Sequence, residues 1–276
     1  MRWLINGKSA VQLDAADRGL HYGDGVFETM ALRDGIVRFH ERHLRRLAYG
    51  CERLRIEPPP QGTLEREIAE LTAGTPSGVV KLVVTRGTAG RGYGTRRTSA
   101  PTRVLSLHDD RVTPASFYRH GVRLRFCTTQ LGRNRALAGV KHLNRLEQVL
   151  ARLEADDDQA DEGLMLDETG RVISGTMTNL FLVRGGSLIT PALEDCGVEG
   201  IMRGVVLESA VSAGFETRIC DVRRDDVEAA QELFVTNALI GIWPVRVCAG
   251  HPLEPGTVTR NLMDRLAAQG LRECAV

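Results

Sequence analysis

An Asp-Gly pair at residues 34 and 35 separates two short stretches with the pattern of β-strands, and it constrains the fold more than any other local feature. The stretch VFETMAL before it alternates apolar and polar residues, and IVRF follows it directly. Asp-Gly between such stretches is a strong signal for the two-residue turn of a β-hairpin. The N-terminal stretches RWLIN and AVQL, joined by a Gly-Lys turn, indicate another hairpin. The chain is therefore predicted to begin with an antiparallel sheet.

Two helices are predicted after these hairpins. Apolar residues recur at helical spacing in residues 40–56, and the stretch TLEREIAELTAG at residues 63–74 carries a second helical pattern. The strand patterns VVKLVVTRG and TRVLSLH follow, on either side of a loop rich in glycine and arginine. Together these elements predict a small α+β domain over residues 1–110.

A larger α+β domain is predicted over residues 121–276, after a linker at 111–120. Its strand patterns are short: VRLRFCTT, EGLML, RVIS, NLFLV, SLIT, ETRIC, ELFVT and IWPVRV. Helices are predicted within GVKHLNRLEQVLARLEA (residues 139–155), over GIMRGVVLESAVSAG and from about Thr257. The first of these helices has one apolar face, which we expect to dock against a sheet. That face consists of Leu143, Leu146, Val149, Leu150 and Leu153.

Charge and cysteine content exclude several classes of protein. The formal net charge is +1 and aromatic residues make up 5% of the chain, so nucleic-acid binding is disfavoured. The six cysteines form no C-x-x-C pair and indicate reduced thiols. His40 and His43 lie three residues apart with no further ligands near them in sequence, so no metal is expected. No apolar run is long enough to cross a bilayer, and the N-terminus carries no signal-peptide pattern. We therefore expect a cytoplasmic protein that does not bind membranes.

Lysine is rare in this chain, because the 36 Lys+Arg residues include lysine only at positions 8, 81 and 141. Lys141 comes just before a predicted helix, where Asn144 and Glu147 resemble a capping pair. A helix N-terminus lowers the pKa of a nearby amine, and a neutral amine can attack a carbonyl. A surface lysine before a helix is the commoner explanation of this local pattern, so the pattern alone leaves the role of Lys141 open.

Two further segments have features of anion sites. The stretch DCGVEGIMRG is a turn leading into a helix, whose first N–H groups at Ile201 and Met202 could hold a phosphate. Arg46, on the first predicted helix, could be the charged partner. An ordinary helix start and a solvated arginine are the simpler interpretations of the same residues.

The glycine-rich stretch TRGTAGRGYGTRR, residues 85–97, lacks the Lys-Ser/Thr ending of a nucleotide-binding P-loop. We interpret it as a loop that offers Arg86, Arg91 and Arg97 to a ligand bearing carboxylates, with Tyr93 as a neighbouring wall.

These segments occur together, and in order, in one protein family. The stretches DRGLHYGDGVFET, HLRRL with Arg46, TNLFLV, LIT and GVEGIMR, together with Lys141, resemble the fold-type IV pyridoxal-phosphate enzymes over nearly the whole chain. That family includes branched-chain and D-amino-acid aminotransferases and 4-amino-4-deoxychorismate lyases. The resemblance implies a two-domain α+β fold like that of D-amino-acid aminotransferase, pyridoxal 5'-phosphate as cofactor, and a homodimer.

Within the family, the stretches RGTAGRGY and LAGVKHLNRLEQVLAR look most like the lyases, which release 4-aminobenzoate and pyruvate on the way to folate. The resemblance implies that Lys141 is the catalytic residue and holds the cofactor covalently. It also implies that the cofactor phosphate is bound by Arg46, Ile201, Met202 and Asn237. The small-molecule substrate, with its two carboxylates, is predicted to contact Arg91, Tyr93 and Glu28.

One position departs from the family pattern. Members usually have a glutamate five residues before the Asn of NLF, where it pairs with the protonated ring nitrogen of the cofactor, but this chain has Ser174. A serine hydroxyl can hydrogen-bond that nitrogen but cannot neutralise its charge. We expect this change to favour an elimination over a transamination. An aminotransferase for D-amino or branched-chain acids and a non-catalytic cofactor-binding protein remain as alternatives.

Overall fold

The computed structural model describes residues 2–95, 98–110, 113–154 and 160–275. Contacts between Cα atoms divide the chain into two compact units. The first consists of Met1–Val112 with Val140–Arg145, and the second of Thr113–Gly139 with Leu146–Val276. Both units contain helices and sheet, so the predicted α+β class is confirmed.

The segment around Lys141 belongs to the first unit, whereas the sequence assigned it to the larger C-terminal domain. The physical reason is backbone pairing. The N–H of Phe27 donates to the carbonyl of Lys141 at 3.0 Å, and the N–H of Leu143 donates to the carbonyl of Gly25 at 3.0 Å. The chain therefore enters the first unit at Val140 and leaves it after Arg145.

A six-stranded antiparallel sheet forms the first unit. Its strands are β1 (Arg2–Ile5), β2 (Lys8–Ser9), β3 (Gly25–Arg33), β4 (Ile36–Val37), β5 (Gly78–Thr85) and β6 (Thr102–His108), in the order β2-β1-β6-β5-β3-β4. Asp34 and Gly35 both have positive φ, 51° and 76°, as the predicted two-residue turn between β3 and β4 requires. The prediction of this hairpin is confirmed, whereas the N-terminal hairpin differs from its prediction, because its second strand is Lys8–Ser9 and not AVQL.

Three helices belong to the first unit: α1 (Arg18–Tyr22), α2 (His40–Arg53) and α3 (Gln61–Thr72). The apolar residues of α2 and α3 pack with one face of the sheet into a single core. Leu44, Leu47 and Cys51 are all buried there, which confirms the helical spacing seen in the sequence. Val140, from the segment that joins this unit late in the chain, is part of the same core and is 1% exposed.

The second unit contains a nine-stranded mixed sheet. Its strands are β7 (Val122–Phe126), β8 (Glu162–Leu166), β9 (Val172–Gly175), β10 (Asn179–Arg184), β11 (Ser187–Pro191), β12 (Thr217–Cys220), β13 (Glu232–Asn237), β14 (Gly241–Cys248) and β15 (His251–Pro252). The strand order is β12-β11-β10-β13-β14-β7-β8-β9, and β15 pairs with β14. Its helices are α4 (Ala115–His120), α5 (Leu146–Leu153), α6 (Ile201–Ser212), α7 (Arg224–Glu228) and α8 (Thr257–Ala268), with a short 3-10 helix at Arg272–Cys274.

Helix α5 differs from its prediction in both its start and its packing. Asn144 donates to the carbonyl of Gly23, and Glu147 accepts from the N–H of Gly132, so these two side chains do not cap the helix. The apolar face predicted to dock against a sheet is largely exposed. Within α5, the buried residue is Ala151, which is not part of that face. The exposed side chains of that face are Leu146, Val149, Leu150 and Leu153, between 50% and 76% exposed.

No helix in the described part of the chain is both long and apolar enough to span a membrane. Among the same residues, no group of three or more His, Cys, Asp or Glu side chains could hold a metal ion.

Candidate active site

Lys141 carries an amine that is easily deprotonated. Its Nζ lies 4.2 Å from the centroid of the Phe27 ring on β3. Loss of hydration on burial lowers the pKa of Lys141 to about 8, and the positive charges of Arg46 and Arg145 contribute to the lowering. The sequence attributed a lowered pKa to a helix N-terminus, whereas burial and neighbouring arginines are the causes in the structure. A measurable fraction of the amine is neutral near pH 7, as a nucleophile for a carbonyl requires.

Glu28 is the buried partner of Arg46 and His43. The Nε and Nη2 atoms of Arg46 donate to the two carboxylate oxygens of Glu28 at 2.8 and 2.6 Å. His43 Nδ1 donates to Glu28 at 2.6 Å, and burial lowers the pKa of His43. Burial disfavours the carboxylate of Glu28, but Arg46 and His43 outweigh that effect and lower its pKa to about 2. A charged, bidentate pair therefore fixes the direction of the Arg46 guanidinium.

This arrangement corrects the prediction for Glu28. The sequence proposed Glu28 as a substrate contact, but its side chain is 1% exposed and both its oxygens accept hydrogen bonds from α2. The β3 register explains the difference, because alternate residues point to opposite faces of a strand and Glu28 points toward α2. His43, which the sequence left without a role, completes the same cluster.

The start of α6 presents unpaired backbone donors in the second unit. The helix begins at Ile201 after Gly200, which has no side chain that could cap it. The first N–H groups of any helix lack an acceptor within that helix, so those of Ile201 and Met202 are suited to an anion. A Cβ built on Gly200 would lie 2.0 Å from Oδ1 of Asn179, so only glycine fits there. Asn179 also donates to the carbonyl of Val198 at 3.0 Å and thereby holds the turn before the helix.

Sequence reasoning did not identify Asn179 as a support for this turn. Its position in the motif TNLFLV could have indicated it, because a buried amide at a strand start needs hydrogen-bond partners.

Ser174 lies near the end of β9 and is 8% exposed. Its hydroxyl donates to the carbonyl of Gly175 at 2.9 Å. A buried carboxylate, that of Glu162, holds the turn that follows: it accepts from the N–H and hydroxyl of Thr176 at 3.1 and 2.5 Å, and from the hydroxyl of Thr178 at 3.2 Å. Nothing in the sequence indicated this role for Glu162, because its partners are 14 and 16 residues away.

Asn237, at the end of β13, has several partners within the second unit. Its Oδ1 accepts from the N–H groups of Leu239 and Ile240 at 2.9 and 3.1 Å, and its Nδ2 donates to the carbonyl of Met177 at 3.2 Å. The side chain thus shapes two turns. The predicted contact between Asn237 and a phosphate stays a prediction.

The glycine-rich loop of the first unit exposes two of its predicted ligand residues. Arg91 is exposed and makes no hydrogen bond to the residues that the structure describes, and Tyr93 is 84% exposed. Arg86 differs from the prediction, because it is bound within the protein: it pairs with Asp24 at 2.8 Å and donates to two backbone carbonyls. Arg97 lies outside the described residues.

Each unit therefore supplies groups that fit a phosphorylated aldehyde. In the first unit, the amine of Lys141 is suited to a carbonyl, and Arg46 has a fixed charge. In the second unit, the uncapped start of α6 is suited to a phosphate. These features agree with the chemistry of pyridoxal 5'-phosphate.

Comparison with known proteins identifies a matching family and several similar enzymes. Residues 25–248 match the protein family described as amino-transferase class IV. An aminodeoxychorismate lyase of Vibrio harveyi is 34% identical over 89% of this chain and 90% of its own length. The crystal structure of 4-amino-4-deoxychorismate lyase from Pseudomonas aeruginosa is 45% identical, with a TM-score of 0.93 over 96% of this chain and 98% of that one. The T.th. branched-chain amino acid aminotransferase, solved with pyridoxamine 5'-phosphate, is 26% identical, with a TM-score of 0.84 over 97% and 93% of the two chains.

Proposed function

This chain is an enzyme that belongs to the amino-transferase class IV family, and on that premise we propose that it is a pyridoxal-phosphate-dependent lyase that converts 4-amino-4-deoxychorismate to 4-aminobenzoate and pyruvate. The observation that carries the proposal is the amine of Lys141, which lies 4.2 Å from the centroid of the Phe27 ring and whose charged form is disfavoured by burial and by Arg46. The similarity to two lyases extends over nearly the whole chain, which supports the same reaction. The proposed product, 4-aminobenzoate, is a precursor of folate, so the proposed reaction is a step of folate biosynthesis.

We propose that the residues named from the family motifs bind the cofactor. Lys141 is the covalent anchor, and Arg46 is the charged phosphate ligand, oriented by Glu28. The N–H groups of Ile201 and Met202 are the backbone phosphate ligands, and Asn237 and Ser174 complete the proposed set. When bound, pyridoxal 5'-phosphate supplies an electron sink that stabilises negative charge on a carbon next to the substrate nitrogen.

The proton transfers of this reaction require one base that can also act as an acid. The Nζ of Lys141, in its neutral form, takes the proton from the substrate ring carbon that bears the nitrogen. The bond between the ring and the enolpyruvyl oxygen then breaks, and the ring becomes aromatic. Protonated Lys141 returns the proton to the enolpyruvate carbon, which gives pyruvate. A pKa of about 8 suits both directions, because an efficient acid-base catalyst has a pKa near the working pH.

Substrate carboxylates are proposed to bind at the glycine-rich loop. Arg91 is exposed and can form bidentate pairs with a carboxylate, and Tyr93 lies two residues further on. Arg86 is left out of this proposal because Asp24 and two carbonyls already hold it.

Ser174 favours the lyase over the first alternative, an aminotransferase for D-amino or branched-chain acids. A hydroxyl would hold a proton on the cofactor ring nitrogen less well than a carboxylate, and a less protonated ring withdraws electrons less strongly. Transamination depends on that sink throughout, whereas aromatisation drives the elimination forward. The second alternative, a non-catalytic cofactor-binding protein, predicts no turnover of 4-amino-4-deoxychorismate by the cofactor-saturated protein.

An assay without any keto-acid acceptor tests the proposed reaction. The purified enzyme, saturated with pyridoxal 5'-phosphate, is supplied with 4-amino-4-deoxychorismate alone. Equal amounts of 4-aminobenzoate and pyruvate are expected, and Lys141→Ala is expected to form neither. Strict dependence of turnover on 2-oxoglutarate would instead identify an aminotransferase.

We further propose a cytoplasmic homodimer. The exposed apolar face of α5 supports association with a second copy, since exposed apolar side chains grouped on one helix are typical of interfaces. The six cysteines are all free in the structure, which fits a reducing compartment.

A further inference from the structure

The motif DRG at residues 17–19 has no role in the function proposed above. We propose that it latches the substrate loop, defined as residues Gly87–Tyr93, and that Arg18 is a positioning residue for Arg91 and Tyr93. The inference rests on the proposed function insofar as that loop binds substrate. All of the contacts that carry it lie within the first unit.

The base of the substrate loop is bound to Asp17 and to the backbone of Arg18. The hydroxyl of Thr85 donates to Asp17 at 2.9 Å and accepts from the N–H of Gly87 at 3.0 Å. The N–H of Arg18 donates to the carbonyl of Gly87 at 2.9 Å, and Asp17 forms an antiparallel bridge with Thr88. The first residues of the loop are therefore fixed by the start of α1.

The tip of the loop is bound by the Arg18 side chain, which is 5% exposed. Its Nη1 donates to the carbonyl of Gly92 at 3.0 Å, and its Nη2 donates to the carbonyl of Tyr93 at 3.4 Å. Its Nε pairs with Asp24 at 2.8 Å, which fixes the plane of the guanidinium. Only arginine has donors on three nitrogens in one rigid plane, so one side chain can join the carboxylate to two loop carbonyls.

Aromatic contacts extend the latch from Arg18 to Tyr93. The Arg18 guanidinium lies over the Tyr22 ring, 4.8 Å from its centroid. The rings of Tyr22 and Tyr93 are 5.4 Å apart at an angle of 55°. Both contacts are of attractive types, a cation over an aromatic face and a pair of tilted rings. Tyr93, although its side chain is exposed, is thus held by both its carbonyl and its ring.

The close approach of α1 to the loop base explains the third residue of the motif. A Cβ on Gly19 would lie 2.3 Å from the Cγ2 of Thr85, the same threonine that binds Asp17. Any larger residue would push α1 away from the loop. Asp17, Arg18 and Gly19 therefore all act on the same loop. The formation of α1 alone would not require these contacts.

The sequence of the loop makes an external latch necessary. Glycine stands at positions 87, 90 and 92, and the glycines at 87 and 92 have φ of 88° and 100°. A chain so rich in glycine has many accessible conformations when nothing holds it. Arg91 lies between Gly90 and Gly92, so the bonds from Arg18 to Gly92 and Tyr93 act on the residues directly beyond it.

The test compares Arg18→Met and Arg18→Lys with a matched control, Arg103→Met, in the cofactor-saturated enzyme. Arg103→Met also removes an arginine of the first unit from a carboxylate, that of Glu67 at 2.6 Å, and the hydrogen bonds of the Arg103 side chain go to Glu67 and not to the loop. In Arg18→Met, Asp24 keeps its pair with Arg86 at 2.8 Å, so no carboxylate is left alone. Thermal melting of each variant verifies folding, and Arg18→Lys retains the charge if Arg18→Met fails to fold.

Two measurements decide the proposal: the rate of tryptic cleavage after Arg91, followed by intact mass, and the KM for 4-amino-4-deoxychorismate. Arg18→Met is expected to raise both by about tenfold and to change kcat by less than about twofold, since two hydrogen bonds to a charged group are lost. Arg18→Lys is expected to raise both by a smaller factor, and Arg103→Met to change neither.

Equal cleavage rates in Arg18→Met and Arg103→Met would overturn the latch. Faster cleavage with an unchanged KM would overturn its role in substrate binding. If wild-type enzyme formed no product, the proposed function would fail, and the cleavage rates alone would still decide whether Arg18 holds the loop.

Discussion

The charged form of Lys141 is disfavoured in the folded protein, and this lowers the free energy of unfolding. Its pKa is lowered to about 8 from an ordinary value of 10.5, with burial as the main cause and Arg46 as the next. An unfolded chain would keep the ordinary pKa, so it binds the proton more tightly than the folded one. The free energy of unfolding therefore rises with pH between about 8 and 10.5, because in this range the unfolded chain still binds the proton that the folded protein has released.

Replacing Lys141 by Met is expected to stabilise the cofactor-free protein. At pH 7 the gain in unfolding free energy is up to about 3 kcal/mol, the equivalent of the pKa difference. It falls to less than about half of that at pH 9.5, where the lysine is neutral in the folded state. Urea unfolding at the two pH values measures this change, with exposed Lys8→Met as control. A gain independent of pH would show that better packing, and not the charge, is responsible.

Ser174→Glu tests the link between this residue and the type of reaction. The new carboxylate is expected to raise transamination of amino acids by about tenfold or more, because it stabilises a positive charge on the cofactor ring nitrogen. Acceptor-free lyase turnover is expected to change less. Ser174→Gln is the control, since it has the same size as glutamate without the charge. Equal transamination by both variants would refute the argument, as would loss of lyase turnover in Ser174→Glu alone.

Among the secondary-structure elements, α6 has one glycine just before it and one inside it, and replacing them should have opposite effects. A Cβ on Gly200 would meet Asn179 at 2.0 Å, whereas a Cβ on Gly204, inside the helix, has nothing within 4 Å. Gly200→Ala is expected to lower the unfolding free energy by about 1–3 kcal/mol, the usual cost of overpacking. Gly204→Ala is expected to raise it by about 0.5–1 kcal/mol, because alanine favours a helix.

The same pair of variants tests the anion site at the start of α6. Inorganic phosphate is expected to raise the melting temperature of the cofactor-free wild type and of Gly204→Ala, but not of Gly200→Ala, where the turn is displaced. Thermal melts with and without phosphate measure the effect. Equal stabilisation of all three proteins would place the phosphate elsewhere.

Most of the long elements could be predicted from the sequence, because periodicity and turn residues are local signals. The spacing in α2, the Asp-Gly turn at 34–35 and the start of α8 at Thr257 are all confirmed. Short helices such as α1 and α4 were missed, since five or six residues are too few to show a period. For α5 the apolar stripe was identified, but a sequence cannot say what covers such a stripe, and Leu146 is 76% exposed.

The candidate site could be predicted only as far as family motifs extend. Lys141, Arg46 and the start of α6 were named from motifs, and the structure gives each a suitable environment. The pairing of Glu28 with His43 and Arg46 was not foreseen, because it depends on which face of β3 meets α2. Long-range partners of this kind are set by tertiary packing and leave no local pattern.

For the whole molecule, the exposed apolar face of α5 leads to a prediction about assembly. If this face joins two copies, Leu146→Glu with Leu150→Glu should shift a dimer toward monomer, because two buried charges without partners oppose association. Sedimentation equilibrium of the wild type and the double variant measures this shift. Val211→Glu is the control, as Val211 is also exposed on a helix, at 62%. A double variant that stays fully dimeric would place the interface on another surface.

The late return of the chain to the first unit has a consequence for synthesis on the ribosome. Val140 belongs to the core of that unit, yet 27 residues, 113–139, separate it from the end of the first stretch at Val112. A nascent chain that stops at Val112 lacks both this core residue and the backbone partner of Phe27. The first unit can therefore finish folding only after part of the second has been translated, and Lys141 arrives in the very segment that completes it.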